Sequence, residues 1–251
     1  MPADDEEIVG VHAVWEAVRA GEVLHRIVIG KHRERDPKLA GLIDAARLRD
    51  IPVIFEQIRD PRLRSGDHHQ HVRGLVRPFR YTPWEEVRRA VRGVASTLVV
   101  VIDHIEDPQN LGAVLRNAEG AGAGAIVMPE RRNAGVTPVT RRTAAGAASH
   151  LKIARVPNIV AAIKALKDDG CWVTGLSPSQ AAVPYDQADY TAKCALVVGA
   201  EGKGLSRLVM ERCDALVRIP LRGQVASLNA ASAAAVVLFE VARRRSAVTS
   251  V

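Results

Sequence analysis

The feature that most constrains the fold is a series of short apolar segments in the second half of the chain, each followed by a stretch long enough for a helix. In chain order these segments are residues 98–102, 125–128, 171–174 and 195–198. Runs that are apolar throughout are typical of strands buried on both faces, and the helix-length stretches between them can serve as crossovers. The alternation therefore predicts an α/β fold with a largely parallel sheet.

A smaller α/β unit is predicted ahead of this region, because helical and strand-like patterns also alternate in the first third of the chain. The predicted elements, in chain order, are a helix over 11–18, a strand over 26–29, a helix over 39–46, and strands over 51–55 and 74–76. An arginine-rich helix over 84–92 follows and is predicted to be a linker. We therefore expect an amino-terminal domain over 1–78, a linker over 79–96 and a second domain over 97–251.

The composition favours a soluble protein of the cytosol. No apolar run approaches the ~20 residues that a membrane-spanning helix needs, and the acidic start of the chain is unlike a secretion signal. The three cysteines, Cys171, Cys194 and Cys213, are not spaced as a disulfide framework or a zinc site. We expect no membrane association and a cytoplasmic location.

Positive charge points to a polyanionic partner. The chain has a formal net charge of +7, with 35 lysines and arginines against 28 aspartates and glutamates. Guanidinium groups bind phosphate through two parallel hydrogen bonds, so RNA or DNA is the favoured class of partner. A basic charge that serves only solubility is the alternative.

Three loops that follow predicted strands carry polar residues or glycine, and ligands of parallel α/β sheets bind at such strand ends. In the first loop, Asn110 stands where the N-cap of the next helix is expected. On that helix Arg116 lies between Gly112 and Gly120, which we expect to leave its guanidinium open to a partner. A plain surface arginine is the alternative.

The second loop contains Gly199, Glu201, Gly202 and Gly204, and its glycines permit a tight turn and a close approach of the backbone to a ligand. The pattern is not that of a Walker loop, and the carboxylate of Glu201 would repel a phosphate. The loop therefore suits a nucleoside without phosphates, with an ordinary glycine turn as the alternative.

The third loop runs from Ile219 to Asn229 and leads into an alanine-rich helix. Ser227 is predicted to be the N-cap of this helix. For Ser227 and Asn229, capping without any further role is the alternative to a functional one.

Two other segments are weaker candidates. The glycine-rich run 120–124 follows a predicted helix and precedes a strand, which reverses the order of a dinucleotide-binding fingerprint, so a nicotinamide-dependent enzyme is disfavoured. The loop with Asp67, His68, His69 and His71 lacks further ligands at metal-binding spacing, and we expect no metal.

Taken in order, the segments 110–118, 199–204 and 219–229 resemble the three signature motifs of the SpoU methyltransferases of the SPOUT superfamily. The resemblance covers residues 97–245. The start of the chain, from Gly10 onward, is similar to the ribosomal-protein-like RNA-binding domain of the RlmB-type members, which are 23S rRNA guanosine 2′-O-methyltransferases. The resemblance implies a trefoil knot in the second domain, S-adenosyl-L-methionine as cofactor, and a homodimer that completes each site across its interface.

The resemblance also implies roles for individual residues. Those expected to bind the cofactor are Leu176, Gly199, Gly202, Ile219 and Leu228. Those expected around the reacting ribose, as the catalytic set, are Asn110, Arg116, Glu201, Ser227 and Asn229. Arginine keeps its proton and is a poor base, so we expect Arg116 to hold the ribose or a phosphate and to stabilise negative charge on the 2′-oxygen.

The expected activity is transfer of a methyl group to the ribose 2′-hydroxyl of a guanosine in 23S ribosomal RNA. One departure bears on the substrate, since residues 72–74 read Val-Arg-Gly where RlmB-type proteins commonly carry His-Gln-Gly. Methylation of transfer RNA or of another ribosomal site is an alternative, as is a non-catalytic RNA-binding protein of the ribosome. The target nucleotide and the group that accepts the 2′-hydroxyl proton are left open.

Overall fold

The computed structural model describes residues 6–19, 21, 23–57, 71–190, 193–202, 204–224 and 227–249. The chain divides into two compact units between Phe79 and Arg80. Among the described helices, none combines the length and the apolar character that a bilayer span requires.

The first unit is a four-stranded mixed sheet with two helices packed against it. Its elements are β1 (Glu6–Val9), α1 (Val11–Arg19), β2 (Leu24–Gly30), α2 (Ala40–Arg47), β3 (Val53–Glu56) and β4 (Val72–Val76). The strand order is β1-β4-β2-β3, in which β4 runs antiparallel to both neighbours and β2 runs parallel to β3. The helices bury Val14, Val18 and Leu42 with Ile27 and Ile29 of β2 in one apolar core. The prediction of a small α/β unit is confirmed.

The second unit is a seven-stranded sheet with helices between its strands. Its elements are α3 (Trp84–Arg92), β5 (Leu98–Asp103), α4 (Pro108–Gly120), β6 (Ala125–Pro129), α5 (Pro138–Ala144), β7 (Lys152–Val156), α6 (Ile159–Asp168), β8 (Trp172–Leu176), β9 (Val183–Pro184), β10 (Cys194–Gly199), α7 (Arg207–Met210), β11 (Ala215–Arg218) and α8 (Ala230–Thr249). The strand order is β7-β6-β5-β10-β8-β11-β9, and every neighbouring pair is parallel. The predicted parallel sheet is confirmed.

The two strands that bring the candidate loops together are β5 and β10, which are neighbours in the sheet. Every residue of both strands is buried, as their continuous apolar sequences indicate. The register pairs Asp103 with Gly199 at the last position of each strand. The loops that follow the two strands therefore leave the sheet at the same edge.

Helix α3 has the predicted bounds but belongs to the core of the second unit. Val87 and Val91, one helical turn apart, are buried in the same apolar cluster as the sheet. Arg88 donates from Nε to Oδ2 of Asp169 over 2.8 Å. The helix that was predicted to be a linker helix therefore packs into the core of the second unit.

Candidate active site

A cavity of about 460 Å³ opens at the edge of the sheet where β8, β10 and β11 end. Its walls come from the three loops that follow these strands, and its volume lies within the range of sites for small molecules. The five residues expected to bind the cofactor all line it: Leu176, Gly199, Gly202, Ile219 and Leu228. Glu201 and Ser227 also line it.

The loop after β10 folds back tightly on its own first residue, Gly199. A Cβ added to Gly199 would lie 2.3 Å from the carbonyl carbon of Gly204 and 2.4 Å from its oxygen. Ala200 and Gly204 exchange two backbone hydrogen bonds of 3.1 and 2.9 Å, and Gly202 and Gly204 have φ values of 75° and 65°. The glycines are therefore required by the shape of this turn.

Three polar side chains from distant parts of the sequence meet beside the cavity. Asn110 donates from Nδ2 to Oε2 of Glu201 over 3.0 Å. Asn229 donates from Nδ2 to Oδ1 of Asn110 over 2.8 Å and to Oε1 of Glu201 over 3.4 Å. We call Asn110, Glu201 and Asn229 the polar triad. It presents two amides and a carboxylate, which can bind hydroxyl groups.

Asn110 is free to join the triad because another residue caps its helix. The N-cap of α4 is Asp107, whose side chain accepts from the backbone N–H of Asn110 over 2.7 Å, and Pro108 occupies the first helical turn. The prediction that Asn110 is the N-cap was wrong. Asn110 lies within the first turn, and its side chain points to Glu201 instead of to the helix backbone.

The start of α8 fixes the orientation of the Asn229 amide. Its Oδ1 accepts from the backbone N–H groups of Ala231 and Ser232 at 2.9 and 3.2 Å, so Nδ2 must face the rest of the triad. Asn229 therefore caps this helix, and the prediction that Ser227 does so was wrong. Ser227 is exposed on the wall of the cavity.

Arg116 lies apart from these groups. It follows Asn110 by six residues on α4, which corresponds to about 9 Å along the helix axis. Arg116 is exposed and does not line the cavity. It makes no hydrogen bond or ion pair with any described residue. The described part of one chain therefore does not bring Arg116 to the triad.

The two glycines that flank Arg116 lie against neighbouring helices. A Cβ on Gly112 would lie 2.6 Å from the carbonyl oxygen of Thr140 and 2.6 Å from Cβ of Thr143, so this glycine lets α5 approach α4. A Cβ on Gly120 would lie 3.5 Å from the ring of Phe239, an ordinary contact distance. Helix packing therefore requires glycine at position 112 and not at position 120.

A second cavity of about 500 Å³ adjoins the first and shares Glu201 with it. Its other walls include Asn110, His104 and Arg132. Neither His104 nor Arg132 was predicted from the sequence to be a site residue. A signal for His104 was present, because it directly follows the last residue of a buried strand, where ligand-binding side chains of parallel sheets lie.

The described residues contain no group of three or more histidine, cysteine or acidic side chains that could hold a metal ion. The histidine-containing loop named in the sequence analysis falls almost entirely, over residues 67–70, outside the described residues.

Comparisons with known proteins agree with this geometry. Residues 97–239 match the family model described as SpoU rRNA Methylase family, and residues 8–82 match the model described as RNA 2′-O ribose methyltransferase substrate binding. A protein of Mycolicibacterium gilvum named "uncharacterized tRNA/rRNA methyltransferase" is 40% identical over 245 residues, which are 96% of this chain and 78% of the relative.

Solved structures with the same fold include an AdoMet-bound rRNA methyltransferase from Sinorhizobium meliloti. It is 26% identical, with a TM-score of 0.63, and the match covers 95% of this chain and 87% of that one. The SpoU methyltransferase AviRb from Streptomyces viridochromogenes, in complex with AdoMet, is 25% identical with a TM-score of 0.66, over 98% of this chain and 92% of the other.

The parallel fold, the cavity at its strand ends and the two matched models define the class of the protein as an RNA 2′-O-ribose methyltransferase. Within that class, the chain belongs to the SpoU rRNA methylase family.

Proposed function

We propose that this protein transfers a methyl group from S-adenosyl-L-methionine to the ribose 2′-hydroxyl of a guanosine in 23S ribosomal RNA, as the RlmB-type members do. The observation that carries the proposal is the polar triad, which joins a hydroxyl-binding group to the wall of a nucleoside-sized cavity. Transfer RNA and other ribosomal sites are the alternative substrates. The protein would act in the cytosol, in keeping with its three free cysteines, and would carry the trefoil knot of its family.

The first cavity fits S-adenosyl-L-methionine in size and chemistry. Leu176, Ile219 and Leu228 give it an apolar wall for a purine ring, and the close turn at Gly199 allows backbone groups to approach the ligand. Glu201 adds a carboxylate, which favours ribose hydroxyls and a positively charged sulfur over phosphate. The residues present therefore fit this cofactor.

When bound, S-adenosyl-L-methionine supplies an electrophilic methyl group. The protein then has to hold the 2′-oxygen in line with that group and to stabilise the charge that develops on it. The triad is placed to orient the hydroxyl, since Asn110 and Asn229 offer amides beside the cavity and Glu201 faces both cavities. Ser227, on the wall of the first cavity, adds a hydroxyl to the same surface.

A homodimer would bring Arg116 to the site, and the exposed surface of the second unit supports one. Phe239 and Val236 of α8 are 51% and 37% exposed, and the Phe239 ring lies against Gly120 at the end of the helix that carries Arg116. Exposed apolar side chains beside an unpaired arginine are typical of an interface core. We infer that Arg116 completes the site of the partner subunit, where its planar fork would hold the ribose or a phosphate.

Mixing two inactive variants tests this arrangement. Arg116→Ala and Asn229→Ala chains should each be inactive as homodimers, and subunit exchange should restore activity because each heterodimer keeps one intact site. Arg89→Ala is the matched control, since Arg89 is an exposed arginine on a helix of the same unit. If the subunits exchange but activity is not restored, Arg116 and the triad that it serves belong to the same chain.

The first unit is proposed to bind the RNA. The short helical turn Lys31–Arg33 follows β2, and its exposed Lys31 and His32 put positive charge and a ring at the end of that strand. The His32 ring meets His71 edge to face at 4.7 Å between centroids. Burial, with added effects of His32 and Arg33, lowers the pKa of His71, so this ring is neutral near pH 7. Such a mixture of cations and planar rings suits single-stranded RNA.

The decisive experiment combines cofactor binding with mapping of the product. Calorimetry should detect S-adenosylhomocysteine binding, and incubation of 23S rRNA and of transfer RNA with labelled cofactor should place the methyl group on a ribose of the ribosomal RNA. Arg116→Ala should lower turnover by about 100-fold or more while cofactor affinity is retained. Tight RNA binding without any S-adenosylhomocysteine binding would instead identify a non-catalytic RNA-binding protein.

A further inference from the structure

The second cavity is walled on one side by the loop after β5 and on the other by the loop after β10. Residues 103–107 form the first wall and Ala200, Glu201 and Gly204 the second. Because Glu201 and Asn110 of the triad also line it, a ligand there lies next to the point where the reacting ribose is proposed to bind. The cavity is therefore placed for another part of the same nucleotide.

The first wall is held rigidly by a buried carboxylate. Asp103 is 1% exposed, and its Oδ2 accepts from the backbone N–H of Ser206 over 2.7 Å. Its Oδ1 accepts from Nδ1 of His104 over 2.6 Å. His104 has a φ of 64°, a left-handed conformation that costs a non-glycine residue on the order of 1 kcal/mol. The Nε2 atom of this fixed imidazole is available to bind a ligand.

The loop after β6 is hydrogen-bonded to the same wall. Ile105 donates its backbone N–H to Oδ1 of Asn133 over 2.8 Å, and its carbonyl accepts from the N–H of Ala134 over 2.8 Å. Between these contacts and β6 lies Arg132, also left-handed at a φ of 55°. Two strained residues held by their neighbours at one cavity are typical of a functional site.

The hydrogen-bonding groups that remain available in the cavity are few. Asp103 is occupied as described, and Asp107 caps α4. Glu106 and Arg132 are exposed, and neither makes a hydrogen bond or an ion pair with a described residue. Glu106 and Arg132 therefore do not pair with each other. Together with Nε2 of His104, they offer a ligand an acceptor carboxylate and a donor guanidinium.

We propose that the second cavity holds the base of the target guanosine, turned out of the RNA, and that Glu106 and Arg132 are the residues that select guanine there. The inference rests on the proposed function and names the specificity of the same site. A base that is recognised by its Watson–Crick edge has to be unpaired and turned out of its stack, as in most sequence-specific recognition of RNA. Guanine alone among the four bases carries a ring N–H beside an exocyclic amino group, a pair of donors that the Glu106 carboxylate can accept together. Arg132 supplies donors for the O6 and N7 acceptors, as arginine commonly does.

A phosphate is a poorer occupant of this cavity. Arg132 could bind one, but Glu106, Asp107 and Glu201 line the same space, and carboxylates close to a bound phosphate would repel it. A guanine base gives Glu106 its N–H donors, the attached ribose gives Glu201 hydroxyl groups, and neither adds negative charge. The charge of the wall therefore favours the base.

Titrations followed by NMR test the proposal. Guanosine, inosine or adenosine 5′-monophosphate is added to the full-length protein saturated with S-adenosylhomocysteine, and the affinity of each nucleotide is measured. All three carry the same phosphate and ribose, and inosine lacks only the 2-amino group of guanosine. We expect the guanosine nucleotide to bind about 10-fold more tightly than the other two, as befits a hydrogen bond to a charged acceptor. Glu106→Ala should remove this preference.

Asp168→Asn is the matched control. Asp168 is an exposed acid of the same unit at the end of α6, just before β8 and therefore at the opposite edge of the sheet, and its loss should leave the preference unchanged. Equal binding of the guanosine and inosine nucleotides, no measurable binding of either, or a preference that survives Glu106→Ala would each overturn the assignment. Methylation mapped to a nucleotide other than guanosine would overturn it together with the guanosine named in the proposed function, while methyl transfer to a ribose of RNA would stand. If the unmodified protein does not bind S-adenosylhomocysteine at all, that separate result would refute the proposed function itself.

Discussion

Replacement of Gly199 by alanine should damage the cofactor cavity and the stability of the second unit together. The added Cβ would lie 2.3 Å from the carbonyl carbon of Gly204 and 2.6 Å from the backbone nitrogen of Leu205. These atoms are backbone, so the turn itself has to move. Overpacking of this kind costs about 1–3 kcal/mol, and movement of the turn strains the two hydrogen bonds between Ala200 and Gly204, each worth about 1 kcal/mol.

If both hydrogen bonds are lost, the sum is about 3–5 kcal/mol, which corresponds to a fall in Tm of roughly 6–20 °C for a protein of this size. Thermal unfolding followed by circular dichroism should detect the fall, and calorimetry should find S-adenosylhomocysteine binding weakened by about 10-fold or more, because the displaced turn forms one wall of the cavity.

Gly223→Ala is the matched control for this prediction. Gly223 lines the same cavity, but a Cβ added there would meet no atom within 4 Å, so its Tm should stay close to that of the unmodified protein. If Gly199→Ala unfolds at the same temperature as Gly223→Ala and binds S-adenosylhomocysteine equally well, the argument that close backbone packing shapes the cavity is refuted.

Three further predictions concern the rest of the molecule. Hydrogen bonds from Arg243 and Arg244 lower the pKa of Glu240 from 4.5 to about 2, so its carboxylate stabilises the fold above pH 4.5 and this contribution is lost as the pH falls towards 2. Glu240→Gln should cost about 1–2 kcal/mol near neutral pH, and urea midpoints of variant and unmodified protein should converge in acid. RNA affinity should fall steeply with salt, by about one unit of log-log slope for each phosphate contact, while S-adenosylhomocysteine affinity barely changes; equal slopes would contradict this. A chain limited to residues 80–251 should bind S-adenosylhomocysteine but methylate RNA poorly, and a chain limited to 97–251, which lacks α3, should also unfold at a lower temperature; full activity of the shorter chains would argue against RNA delivery by the first unit.

The apolar runs of the sequence were enough to predict the central strands. Strands β5, β6 and β10 are buried along their whole length and β8 is buried over residues 173–175, so their sequences are largely apolar. Strand β7 was missed because charged Lys152 and Arg155, exposed at the edge of the sheet, interrupt its apolar residues. Strand β11, with only four residues, was indicated only as the short stretch ahead of the third loop, without bounds.

One helix cap could be predicted from the local sequence and the other could not. Pro108 is a local signal that its helix begins there and that Asp107 is the cap, so the misplacement of the N-cap at Asn110 could have been avoided. For Ser227 and Asn229 the sequence offered two acceptable caps. Only the position of the first turn of α8 decided between them.

The sequence by itself determined the parallel α/β fold, the three loops and the residue types that those loops place at the edge of the sheet. Only the tertiary structure decided which side chains meet. Asn110 and Glu201 are 91 residues apart and come together because β5 and β10 pair in register, so that the loops after them leave the same edge. Asn110 and Asn229 are 119 residues apart and meet because α8 packs against α4. Strand pairing and helix packing are set by the burial of the whole core, a property of the folded chain that no single segment carries.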